Sequence, residues 1–259
     1  MYVDEQLEKK MKGRFLIKTN EQQVEKNIYA DKSALILAWL LREGVSRREF
    51  SLREVAKGAR VSLGLVQRVF ETLALKGLLQ VEGIRTAKKF IFTKPNLLLE
   101  SWLDHYDMAK KCKMRTYHSA LQGKEELLGA LKKSKLNTKA ALALHSAAEA
   151  YGYKNTNLNT FEIYMLDPSI RSKLEKTLQL EARERGYEVL LVEPYYESLL
   201  KQGMKSKKGI NVSPILLTYL DLYYFPLRGQ EQAEFMKARA VELQRIYKKI
   251  SGHAKKSRR

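Results

Sequence analysis

Apolar positions change their rhythm along this chain. Between about residues 31 and 76 they recur at three- and four-residue spacing. Ala34, Leu35, Leu37, Ala38 and Leu41 give one helix an apolar face, and Gly44 is a plausible stop for it. Ser51 and Glu54 form an S-x-x-E capping box that opens a second helix, with Leu52, Val55, Ala56 and Ala59 turned inward. Arg60-Val61 then makes a tight turn. Ser62 is placed to cap a third helix over 63–76, where Leu65, Val66, Val69, Phe70 and Leu73 face the core and Gly77 ends the run. Leu78-Leu79-Gln80-Val81, a turn at Glu82-Gly83 and Phe90-Ile91-Phe92 predict two short strands joined by a basic loop.

Pro95 closes this unit, and Asn96 is a candidate cap for a linker helix from about 97 to 112, apolar through Leu98, Trp102, Leu103 and Tyr106. Beyond Lys113 the pattern turns to mixed α and β. It predicts helices over 124–132, 138–151, 168–176, 196–202, 214–224 and 230–251, and strands over 161–165, 177–180, 189–192 and 209–212. The expected architecture is mainly α with α+β. It comprises a polar N-terminal arm (1–30), a winged helix-turn-helix (31–95), a linker helix (96–113), an α+β domain (114–250) and a basic tail (251–259).

Charge sharpens the picture. The chain has 259 residues with 48 Lys+Arg against 29 Asp+Glu, a formal net charge of +19. An excess of that size points to a polyanionic partner, nucleic acid first. Cys112 is the single cysteine, which excludes an intrachain disulfide framework and a four-thiolate zinc site. No apolar run reaches the ~18–20 residues of a membrane helix, and the first residues lack a signal-peptide core, so the expected compartment is reducing cytoplasm and no membrane partner is expected.

The order helix, helix, turn, helix, basic hairpin suits a DNA reader. A helix about 10–12 Å across fits a major groove about 12 Å wide. With Val66, Val69 and Phe70 inside, the base-reading candidates are Ser62, Leu63, Gly64, Gln67 and Arg68. Gln pairs with adenine and Arg with guanine through two hydrogen bonds each, and Gly64 lets the backbone come close. Arg47, Arg48, Arg53, Lys57 and Arg60 flank that helix as phosphate contacts, and Arg85, Lys88 and Lys89 supply the wing. Two other readings stay open: an enzyme delivered to DNA by the winged helix, with a nuclease or nucleotidyltransferase C-terminal domain, and a winged helix that binds only proteins.

Catalytic signals are thin. His105, His118, His145 and His253 share no ligand spacing, and neither a phosphate-binding glycine loop nor a nucleophile elbow occurs. Glu100, Asp104 and Asp107 lie on one predicted helix face and read as a solvated surface beside Lys110 and Lys111 rather than as a Mg²⁺ site. No metal or cofactor is expected. The aromatic pairs at 195–196 and 223–225 read as core.

Ser213-Pro214, the run Tyr219-Leu220-Asp221-Leu222, and Pro226-Leu227-Arg228-Gly229 followed by Ala233-Glu234 resemble the late segment of AbiEi-type antitoxins of type IV toxin–antitoxin systems. Ala141–Leu144 with Ala147 and Ala148, and Leu97–Trp102, are similar to earlier parts of that family. The resemblance spans roughly 34–239, and the long arm before 31 and the basic tail depart from the family pattern. It implies a transcriptional autorepressor whose winged helix binds repeats in its own promoter, and a C-terminal domain that supports cooperative DNA binding, with a possible homo-oligomer there. It also implies a nucleotidyltransferase-like toxin encoded nearby. Taken as residues, Ser213 reads as an N-cap with Pro214 at the first helical position. Asp221 either pairs with Arg228 or leaves that arginine to a phosphate.

Overall fold

A computed structural model describes residues 27–84 and 88–248. The chain begins with α1 (Asp31–Arg42), a 3-10 turn (Gly44–Ser46), α2 (Leu52–Ala59) and α3 (Leu63–Leu75). An antiparallel hairpin follows, β1 (Leu79–Glu82) with β2 (Lys89–Phe92), in the register Leu79 opposite Phe92. The capping box forms as expected: Glu54 N–H donates to Ser51 Oγ at 3.3 Å and Ser51 N–H to the Glu54 carboxylate at 2.7 Å. Arg60 ends α2 in the left-handed region at φ 54°, and Ser62 Oγ accepts from Leu65 N–H at 3.3 Å. Gly77, at φ 66°, ends the turn after α3, a backbone that glycine adopts at little cost.

Helix α1 departs from the expected one-sided pattern. Every residue from Ser33 to Leu41 is buried. A helix apolar all round belongs inside, and α1 lies between α2 and α3 on one side and elements of the second half on the other.

The second half is built on a seven-stranded mixed sheet. Its strands are β3 (Lys113–Ser119), β4 (Ala140–Leu142), β5 (Phe161–Met165), β6 (Leu180–Ala182), β7 (Val189–Glu193), β8 (Lys205–Lys207) and β9 (Ile210–Val212). Their spatial order is β6-β3-β7-β5-β4-β9-β8, with β5–β7 and β4–β9 parallel and the other pairs antiparallel. Side chains alternate strictly in the middle strands. Phe161, Ile163, Met165, Val189 and Leu191 meet α6 (Gly123–Lys133) and α8 (Arg171–Thr177) on one face. Tyr164, Leu190 and Val192 face the other way, into a core continuous with α1 to α3. Covering both faces explains why Val189–Val192 of β7 reads as an unbroken apolar run.

That second face is covered by α4 (Pro95–His105), the single turn α5 (Met108–Lys111), α7 (Leu144–Ala150), α9 (Glu197–Gly203), α10 (Ile215–Tyr223), α11 (Gly229–Arg239) and α12 (Val241–Lys248). Trp102 of α4 is buried, and its indole N–H donates to Tyr196 Oη at 2.8 Å. The Tyr196 hydroxyl in turn donates to the Tyr29 carbonyl at 2.9 Å. Asp31 reaches across from α1 to cap α9, accepting Ser198 N–H at 2.9 Å. The twelve helices and mixed sheet among the described residues make the chain α+β.

Four expected elements differ. The linker helix starts at Pro95, with no Asn96 cap, and stops at His105, because Tyr106 turns extended to bury its ring, and 113–119 is a strand. Instead of one helix over 138–151, Ala141-Leu142 pairs with Asn211-Val212 and with β5 before α7 begins. Of the expected strand over 177–180, Thr177 ends α8, 178–179 form a turn, and only Leu180 is strand, the first residue of β6. The last long helix breaks at Ala240, extended at ψ 116°. Residues 1–26 of the expected arm, and the whole tail, lie outside the described residues, while Ile28 and Tyr29 join the core.

Candidate nucleic-acid interface

Helix α3 buries Val66, Val69, Phe70 and Leu73 and leaves its other side open. Ser62, Leu63, Gly64, Gln67 and Arg68 are all exposed, and the second half of the chain does not cover them. A side chain at Gly64 would meet nothing within 4 Å, so the fold itself does not require glycine there. Gln67 donates to Glu71 Oε1 at 3.1 Å, one helical turn on. Arg68 has no carboxylate partner among the described residues and lines a shallow hollow beside Asn27, Ile28 and Ser33.

The hairpin is fixed against α3 by a chain of rings. Trp39 and Phe50 lie 5.3 Å apart between centroids, Phe50 and Phe70 5.9 Å, and Phe70 and Phe90 4.8 Å, all edge-to-face. Phe50 and Phe90 also form a β-bridge. Apolar packing therefore sets where the hairpin strands stand relative to the open side of α3.

The expected phosphate contacts are spread around this frame. Arg48, Arg53, Lys57, Arg60 and Lys88 are exposed and have no carboxylate partner among the described residues. Arg47 sits 5.3 Å over the Trp39 ring and 3.5 Å from Glu54. The Ser51 hydroxyl, more than the nearby Lys89 and Arg47, holds the Glu54 carboxyl below its usual range. Lys89 lies 3.7 Å from Glu49. Arg85 is outside the described residues. These surface pairs are worth little and do not withdraw either cation from a phosphate.

The late motif does different work from what its residue types suggest. Asp221 does not pair with Arg228. It is fully buried and accepts the hydroxyls of Tyr106 at 2.8 Å and Tyr164 at 2.7 Å. Burial pushes its carboxyl up to about 7, against the lowering effect of the two tyrosines. Arg228 is exposed, left-handed at φ 63°, and forks onto Glu231 at 2.7 and 2.6 Å. Ser213 is not the cap. Its N–H continues the ladder to the Leu142 carbonyl at 2.9 Å, its buried hydroxyl has no partner among the described residues, and Pro214 takes the N-cap position. Gly229 is demanded by packing, since a Cβ there would lie 2.4 Å from the Leu222 carbonyl oxygen.

Sequence reasoning missed a second buried carboxylate. Glu162 on β5 accepts from Ser146 Oγ at 2.5 Å, Ser146 N–H at 3.0 Å, Tyr187 Oη at 3.4 Å and the Thr160 hydroxyl, and so caps the first turn of α7 from a neighbouring strand. Little in the local pattern marks it, because apart from Thr160, two residues before it, its donors Ser146 and Tyr187 are remote in sequence. Asp107 accepts Ala109 N–H at 3.0 Å and meets Lys110 at 3.0 Å. No group of three His, Cys, Asp or Glu among the described residues is placed to hold a metal ion. No helix among them is long and apolar enough to cross a membrane.

Comparison with curated proteins and with solved structures finds no match. A family model described as "Transcriptional regulator, AbiEi antitoxin, Type IV TA system" matches residues 91–242, more than half of the chain, from the second hairpin strand to the start of α12. The match takes in the Tyr106–Asp221–Tyr164 cluster and the Arg228-Gly229 turn. The chain belongs to the AbiEi antitoxin family of type IV toxin–antitoxin transcriptional regulators.

Proposed function

We propose that this regulator binds double-stranded DNA sequence-specifically through a winged helix-turn-helix formed by α1 to α3 and the β1–β2 hairpin. On this reading, residues 31–95 are the DNA-binding domain, 96–113 the linker and 114–250 the antitoxin domain, working in the cytoplasm. The observation that carries it is the open side of α3: Gln67 and Arg68 stand clear of the second half, amid unburied cations at 47, 48, 53, 57, 60 and 88. Ser62, Leu63, Gly64, Gln67 and Arg68 enter the major groove, and the surrounding Arg and Lys hold phosphates, Arg85 among them.

The family supports a further reading. The protein represses its own promoter by binding repeats there, as an oligomer on DNA, and neutralises a nucleotidyltransferase-like toxin encoded beside it. It acts by binding and not by catalysis.

Footprinting on the chain's own upstream region tests this. Expected is a protected repeat whose affinity falls with salt at a log–log slope of roughly −5 for six phosphate contacts. No shift of that DNA at low ionic strength would sink the proposal.

A further inference from the structure

A second charged feature lies behind the reading helix, where α1, α2 and α9 meet. It is a cleft of about 290 Å³ with an apolar floor of Leu35, Trp39 and Leu199 and a rim carrying Arg42, Arg47 and Arg60. One carboxylate, Glu43, shares the lining, 3.9 Å from Arg42. The Trp39 indole N–H has no hydrogen-bond partner among the described residues. Gly58 lets that edge of the ring pack against the backbone of α2, because a Cβ there would lie 2.2 Å from the indole nitrogen.

Helix C-termini converge here, and arginines often serve such ends. At α2 and α9 some of the last carbonyls are already engaged. Val61 N–H returns to the Ala56 carbonyl at 3.0 Å, Gln202 donates to the Ala59 carbonyl at 3.3 Å, and Met204 N–H returns to the Leu200 carbonyl at 2.9 Å. None of the three guanidiniums hydrogen-bonds a helix-end carbonyl among the described residues, and the rim sets them against Glu43 in the lining and Glu54, 3.5 Å from Arg47. A donor-rich rim over an apolar floor suits an anionic head on a small organic body. The volume sits at the lower edge of ordinary ligand pockets, which start near ~300 Å³.

We propose that this cleft binds a small phosphate ester of nucleoside monophosphate size, and that its occupation weakens DNA binding. The second half rests on the function proposed above: Arg47 and Arg60 are expected phosphate contacts for DNA, and a phosphate in the cleft takes the same guanidiniums.

Calorimetric titration of the full chain with AMP, without DNA, tests the site. The expected result is saturable one-site binding of AMP, weaker binding of inorganic phosphate and none of adenosine. Arg42→Ala and Gln202→Glu, each checked for cooperative melting, should each weaken AMP about tenfold, the scale of one charge-assisted contact. No saturation by AMP, adenosine binding as tightly as AMP, or unchanged AMP affinity in both variants would overturn the site. Mobility shifts at constant ionic strength test the coupling. Saturating AMP should weaken DNA binding several-fold against a matched chloride control, and an unchanged shift would overturn the regulatory half. A chain that takes up AMP yet never shifts DNA would defeat the proposed function and leave the site standing.

Discussion

Helices α1 and α3 belong to the same small bundle and meet opposite fates. Ser33 to Leu41 of α1 are all buried, while α3 buries four residues and leaves Ser62, Gly64, Gln67 and Arg68 open. The difference separates residues fixed by packing from residues that packing leaves free. A side chain wedged between two halves of the chain is chosen for volume, and one that touches nothing is free to be chosen for a ligand. The two halves repeat the contrast in their charges. The bundle keeps its Arg and Lys outside, whereas the sheet domain spends Asp221 and Glu162 in its interior.

The largest effect should come from α1. Ile36→Ala, at a fully buried site, is expected to cost about 2–5 kcal/mol in urea unfolding, while Gln67→Ala on α3 should stay within about 0.5 kcal/mol. Equal costs would erase the distinction between the two helices.

Asp221 tests the interior charge through pH. Its carboxyl is raised from 3.8 to about 7, so the folded chain binds a proton that the unfolded chain has released. Stability should therefore fall as pH rises from about 4 to about 7 and level off above that. In Asp221→Asn that part of the slope should vanish. An unchanged slope would mean that the carboxylate is solvated in the folded state.

On DNA, Arg68→Ala should weaken the specific site by about 1–3 kcal/mol and relax base preference at one position. An unaltered footprint at fixed salt would move the reading surface elsewhere. The smallest effect belongs to Lys88→Ala, which should weaken all sequences alike and reduce the salt slope by about 1. Sequence-dependent loss there would make it a base contact.

Much of the bundle was legible because its signals are local. The Ser51–Glu54 box, the Ser62 cap, the Gly77 stop and the inward Val66, Val69, Phe70 and Leu73 each depend on residues within one or two turns. The segment over 138–151 was not, since Ala141-Leu142 has no period that tells a buried strand from a buried helix. Its partners, Ile163, Tyr164, Asn211 and Val212, are remote in sequence. The late motif was legible as a family mark but not as chemistry. Opposite charges at 221 and 228 suggest a pair, yet α10 turns Asp221 inward to two tyrosines and leaves Arg228 on the surface with Glu231.

Local signals were enough to read off the order of α1–α3 and the hairpin, the cationic excess and, through the 213–234 motif, the family, because caps, periodicity, charge and motifs are properties of neighbouring residues and of composition. Long-range packing alone encloses α1 on all sides, buries Asp221 and Glu162 as acceptors, and brings Arg42, Arg47 and Arg60 to one cleft. Each of those depends on which distant segments pack together. That is set by burying both faces of the sheet at once, a condition that no local window contains.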